Sequence, residues 1–242
     1  VAKMQTAGAL REGRRVWMLM SLPDSGFTVG NQRHPIIPYL LSTNAHDGSS
    51  SAKFLLTTVD VVCMNTLNAA LGEAYAEIAV HIRHTGNIGE KIVAVKRMLA
   101  EAATVFGDFK VKADSLDNVR VSKDAFEEFM SFIFPAVDAD SGRGSRAVTN
   151  RNNRVLQLTE ALKQEIMLLP QYTVTSQTGG KPEFSYWNLL SAVTRFTTHM
   201  QPVRKGERDE GEARFEHQLL GGGAEFNARA TGKILELSGV GR

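Results

Sequence analysis

The chain has 242 residues, of which 43% are hydrophobic and 22% charged, enough to bury one substantial core, alone or with an appended lobe. Its single cysteine, Cys63, excludes an intramolecular disulfide framework and fits a reducing cytoplasm. A net charge of +2 is too small to indicate nucleic acid by itself, and no apolar run approaches the roughly 18 residues that span a bilayer.

In chain order, Val1-Ala2-Lys3-Met4-Gln5-Thr6 carries neither the hydrophobic region of a secretory signal nor an initiator methionine, so residues upstream are expected to have been trimmed, cleaved or left out. Residues 15–22 are rich in strand formers, and Pro23-Asp24-Ser25-Gly26 closes them with turn chemistry. Residues 36–43 read as a second strand. Asp47-Gly48 then tolerates the positive φ of a hairpin, and residues 53–63, rich in Thr and Val, read as a third strand. Short connections between consecutive strands imply antiparallel pairing. Residues 64–71 read as helical, with Leu67 and Leu71 a turn apart. Residues 77–83 alternate, which predicts a fourth strand with Ile78, Val80 and Ile82 on one face and His81 and Arg83 on the other.

The clearest helix follows, with Ile88, Ile92, Val95, Leu99, Ala102 and Phe106 at intervals of three and four and Asn87 with Glu90 as a capping pair. Ser122 is placed to cap a helix carrying Phe126, Phe129, Met130 and Ile133, which Pro135 stops. A long helix is expected over 150–169, with Val155, Leu158, Leu162 and Ile166 inward, and another over 186–199. On the latter, Trp187, Arg195 and His199 form a candidate groove. Residues 206–211 read as a charged loop, and Gly221-Gly222-Gly223 interrupts the last helical region. The expected fold is α+β: an antiparallel sheet of three to five strands in the N-terminal half, packed against a long amphipathic helix, then a helical C-terminal half. The expected division is an α+β core over 1–134 and a helical extension over 135–242 packed on the same core, with flexible loops near 138–149 and 173–182.

Charge distribution says more than net charge. Arg143, Arg146, Arg151 and Arg154 lie in a stretch without acids, and Arg83, Lys91, Lys96 and Arg97 face the single Glu90. Arg14 and Arg15 sit beside Glu12, while acids concentrate over 108–128 and 207–216. Such segregation can build one basic face or several separate solvated ones.

Two motifs are dense in polar side chains. Tyr39 opens a stretch that includes Asn44-Ala45-His46-Asp47-Gly48-Ser49-Ser50 and ends at Lys53; Val62-Cys63-Met64-Asn65-Thr66-Leu67 follows shortly after. Together with Gly13-Arg14-Arg15-Val16-Trp17, His81-Ile82-Arg83-His84-Thr85-Gly86-Asn87 and the segment from Asn188 to His199, they resemble, in the same order, the motifs of the phage/plasmid-like protein family, a group of unknown function carried by phages, prophages and plasmids. Met64 departs from the glutamine common in that family and removes one polar group. The resemblance implies mobile-element biology inside a bacterial host and no established activity. The element order is also distantly similar to that of phage single-strand annealing recombinases, an analogy of fold order that does not fix function.

A single-strand site needs cations for phosphates and flat groups for bases. The candidate cations are Arg14, Arg15, Lys53, Arg83, Lys91, Lys96, Arg97, Arg151 and Arg154; the candidate stacking groups are Trp17, Tyr39, His46 and His84, of which Trp17 and Tyr39 also read as core residues; and Asn44, Ser49, Ser50, Asn65 and Asn68 are candidate donors to phosphate or base edges. Enzyme chemistry is poorly marked. The stretch from Gly48 to Lys53 lacks the second glycine of a phosphate loop and the Ser/Thr after its lysine, and a strand follows it. His81 and His84 on a strand point to opposite faces, Cys63 is flanked by apolar residues, and His46 with Asp47 is no catalytic pair by adjacency alone. The expectation is therefore a cytoplasmic, non-enzymatic protein without cofactor or metal. It binds single-stranded DNA and promotes strand annealing or recombination as a ring or filament homo-oligomer, with a possible partner nuclease of unknown identity and no membrane. The alternative is a phage structural or assembly protein that does not bind DNA.

Overall fold

A computed structural model describes residues 2–30, 35–48, 51–58, 79–82, 88–137, 144–169, 183–204, 206, 210–220 and 222–240. Five strands form one antiparallel sheet in sequence order: β1 (Lys3–Leu10), β2 (Arg15–Ser21), β3 (Pro38–Ala45), β4 (Ala52–Thr58) and β5 (Ala79–Ile82). This meander is what short connections between strands dictate. β1 is an addition to the strands read from sequence. Its Lys-Met-Gln-Thr-Ala-Gly-Ala-Leu run has weak strand propensity and no apolar alternation, because it lies at the sheet edge with most of its side chains exposed. A register shift between Met4 and Thr6 bulges it against β2. β3 starts at Pro38, two residues after the expected start, and runs on to Ala45; Ile36 instead makes an isolated bridge to Phe27. The end of the expected third strand past Thr58 and the expected helix over 64–71 lie outside the described residues.

Register sorts the sheet into two faces, because directly paired residues point the same way. Leu40 pairs with both Met20 and Leu56, and Phe54 with Val80; all five belong to the main apolar core or pack against it. The other face carries Leu19, Leu41 and Leu55 in one row and Trp17, Thr43, Lys53 and His81 in the next. The alternation expected at β5 holds: Val80 is buried in the core and His81 is on the opposite side.

The helices are α1 (Ile88–Asn118), α2 (Lys123–Ile133), α3 (Gly144–Met167), α4 (Tyr186–Arg195), α5 (Glu210–Leu220) and α6 (Gly222–Ser238). α1 has 31 residues, reaching well past the stripe read from sequence. Its buried positions are Met98, Ala102, Val105, Phe106, Phe109, Ala113 and Leu116, and Val95 and Leu99 pack at the margin. Ile92, expected inside, is 48% exposed because the first turns leave the packed layer. Ser122 caps α2 as expected, its hydroxyl accepting from the Ala125 amide at 3.1 Å. α3 begins at Gly144, so residues 144–149 of the expected loop are helical.

α4 ends where a five-residue π turn, Phe196–Met200, takes over the expected helix. Its N-terminus is a full capping box: the Asn188 amide donates to Ser185 Oγ at 3.2 Å, and the Ser185 amide donates to Asn188 Oδ1 at 2.9 Å. Trp187, Phe109, Phe27, Phe134, Phe196 and Phe226 bring the sheet side and the helical half into one core, with Phe109 and Trp187 edge to face at 6.2 Å and Phe196 and Phe226 tilted at 5.4 Å. Among the described residues, no helix is long and apolar enough to cross a membrane.

Candidate functional site

The strands place part of the expected site in one cross-strand row. Trp17, Thr43, Lys53 and His81 are successive partners across β2, β3, β4 and β5, so their side chains share the face turned away from α1. Thr43 is buried, Trp17 and Lys53 are half-buried, and His81 is exposed. Partial burial first, and the neighbouring Lys53 ammonium second, hold His81 below the ordinary histidine pKa, so at neutral pH it is an uncharged donor and acceptor beside a cation.

The sheet end nearest this row adds two more expected residues. The β1–β2 hairpin turn carries Arg14, whose exposed guanidinium lies 3.4 Å from Glu12, and the β3–β4 turn carries exposed His46. The two turns are neighbours because the His46 amide donates to the Arg14 carbonyl at 2.7 Å. Gly48 in the second turn has φ of +71°, the left-handed value that an Asp-Gly pair permits.

Trp17 lies at the other end of the row. A Cβ at Gly8, its partner on β1, would meet Trp17 Nε1, Cε2 and Cζ2 at 2.8, 2.9 and 3.0 Å. The Nε1, Cε2 and Cζ2 edge of the indole thus lies close against β1, and a side chain at Gly8 would crowd it. The indole also meets Phe215 of α5, with ring centroids 4.9 Å apart and planes 31° from parallel.

Other expected residues are placed elsewhere. Arg15 is on the same face but only 8% exposed, while Asn44 falls on the opposite face of β3 with its Oδ1 buried. Lys96 and Arg97 are exposed on α1, which packs on the core side of the sheet, and Lys91 belongs to α1 with its side chain outside the described set. Arg151 and Arg154 serve the helical core. Arg151 Nε donates to the carbonyls of Phe134 and Pro135, both at 3.0 Å, where cations complement the C-terminal end of α2. Arg154 lies over the rings of Phe134 and Phe226 at 5.2 and 5.4 Å; burial, and then Arg229, lower its pKa. The arginine run read as one basic stretch is thus divided by the fold. Ser49, Ser50, Asn65, Arg83 and His84 lie outside the described residues, as do Cys63 and Asn68.

The candidate groove on α4 is not formed. Trp187 is 1% exposed inside the core, Arg195 Nε donates to Glu165 at 2.5 Å, and His199 is exposed. Among the described residues, no group of three or more His, Cys, Asp or Glu is placed to hold a metal ion. Phe215 and Gly8 were missed by sequence reasoning. Nothing local marks either, because their relation to Trp17 depends on strand register and on where α5 docks.

One protein family matches the chain: the domain of unknown function DUF932, over residues 1–219. The chain belongs to this family, and α6 lies beyond the matched stretch. No curated protein and no solved structure matches the chain.

Proposed function

We propose that this member of the DUF932 family binds single-stranded DNA along the sheet face around Lys53 and promotes strand annealing, as a homo-oligomer, in a phage or related mobile element. The observation that carries the reading is the cross-strand row of Trp17, Thr43, Lys53 and His81, with Arg14 and His46 at the adjoining sheet end. Such a row suits a strand in which phosphates follow the cations and a base stacks on the aromatic group, without sequence readout. No covalent chemistry is needed: holding bases outward while neutralising phosphate repulsion is enough to let complementary strands meet. Arg151 and Arg154 are left out of this surface and assigned to the helical core.

The test is fluorescence anisotropy of a labelled single-stranded oligonucleotide, with the matched duplex alongside, at low and moderate salt. Wild-type protein is expected to prefer the single strand and to weaken with salt. The double substitution Lys53→Ala/His81→Ala is expected to lower affinity about tenfold and to flatten the salt dependence by roughly 0.7 in log–log slope for the lost phosphate contact. Arg151→Ala is expected to lower the melting temperature and leave the salt slope alone. Absence of binding at low salt sinks the single-strand reading; a symmetric assembly indifferent to DNA would then favour the assembly role.

A further inference from the structure

We infer that Phe215 is a built-in competitor for the single-strand site: its ring occupies the face of Trp17 on which a DNA base would stack, so α5 leaves the sheet when a strand binds. This rests on the single-strand reading of the row that contains Trp17.

Two independent observations carry it. The first is the aromatic geometry. Phe215 lies on the indole at 4.9 Å and 31°, and the Nε1, Cε2 and Cζ2 edge of the same ring crowds Gly8 of β1. Among the described residues four other pairs meet edge-on, from 65° for Phe109 with Trp187 to 87° for Phe134 with Phe196, while Phe134 with Phe226 at 34° and Phe196 with Phe226 at 53° are tilted. At this spacing no third ring fits between Phe215 and Trp17, so a base and Phe215 cannot share that side of the indole.

The second is the seam behind α5. Thr198 Oγ1 within the π turn, Gln201 Oε1 just after it and His217 Nε2 on α5 are all buried with no hydrogen-bond partner among the described residues. Arg214 reaches across to the Thr198 and Gln201 carbonyls at 3.2 and 3.5 Å, but its closer bonds, 2.9 and 3.1 Å, go to Glu210 on its own helix. Docked α5 thus leaves polar groups unsatisfied that water would satisfy once the helix moves, and the Arg214–Glu210 pair travels with it. Phe215 on Trp17 is then a latch that a base displaces by an exchange of like for like.

The experiment compares wild type, Phe215→Ala and Phe215→Leu for binding of a labelled oligothymidine by anisotropy, with thermal melting of each chain measured alongside. Phe215→Ala is expected to bind about fivefold to tenfold tighter than wild type, since the strand no longer displaces a ring. Phe215→Leu keeps the apolar bulk without a stacking face and is expected to bind about threefold tighter; it decides the matter if the alanine variant does not fold. Wild-type binding with unchanged or weaker binding by the folded variants overturns the latch and leaves the single-strand reading in place. If no chain binds, wild type included, the single-strand reading falls and takes the latch with it.

Discussion

Arg11 and Glu12 hold φ of 53° and 57°, left-handed values that cost most side chains, at the two central positions of the Leu10–Gly13 turn within the β1–β2 hairpin loop. The Gly13 amide donates back to the Leu10 carbonyl at 3.2 Å, so the turn is of the kind in which both central residues need positive φ. Glu12→Gly is therefore expected to stabilise the protein by about 1 kcal/mol, offset little by the loss of the exposed Arg14 pair. Thermal denaturation checks this; an unchanged or lower melting temperature would mean that the loop accommodates the side chain without strain. At the same scale, residue type alone does not tell what Arg151 and Arg154 are engaged with. An arginine in a run without acids looks like a phosphate ligand, yet a helix C-terminus and aromatic rings satisfy the same guanidinium chemistry.

At the scale of elements, the tie between the end of α1 and the start of α4 is the most constrained junction. The Tyr186 amide donates to the Val119 carbonyl and the Val121 amide to the Phe184 carbonyl, forming a short antiparallel bridge. Ser185, fully buried, accepts from the Asn188 amide and donates to Asp117 Oδ1 at 2.8 Å. Ser185→Ala removes the cap and leaves buried polar groups without their partner, so an expected loss of about 1–2 kcal/mol should appear in denaturant unfolding. A change near zero would show that Asn188 sustains the cap by itself. Strand β1 illustrates the opposite case: an edge element whose sequence carries little periodic signal is fixed by its pairing to β2.

For the whole molecule, the relevant variable is pH. Burial first, and the positive charges of Arg214 and Arg154 after it, lower the pKa of His217, whose ring packs against Gly222 and Gly223 at the start of α6. A base with a lowered folded pKa contributes its full stability above the unfolded value. Below about pH 6.5 the unfolded chain takes up the proton first, and stability falls with pH until the lower folded value is reached. His81 acts in the same direction. His217→Gln is expected to flatten the decline in melting temperature as pH falls below about 6.5, and an identical slope in wild type and variant would place the titrating group elsewhere.

Much of the architecture was legible in the amino-acid order. Apolar spacing of three and four marks α1, α2 and α3, alternation marks β5, and Ser122 and Asp47-Gly48 mark a helix start and a hairpin turn; these are local properties, set by backbone geometry and by which side chains avoid water. What only the tertiary structure decided is non-local. Register brings Trp17, Thr43, Lys53 and His81, distant in sequence, into one row, and sends Asn44 to the other face by a shift of one residue. Helix packing spends Arg151 and Arg154 on a helix end and an aromatic cluster, and docking of α5 lays Phe215 on Trp17. Each outcome depends on contacts between elements rather than on spacing within one. Composition and periodicity therefore determined the layers, while pairing and packing determined which charged and aromatic groups share a surface.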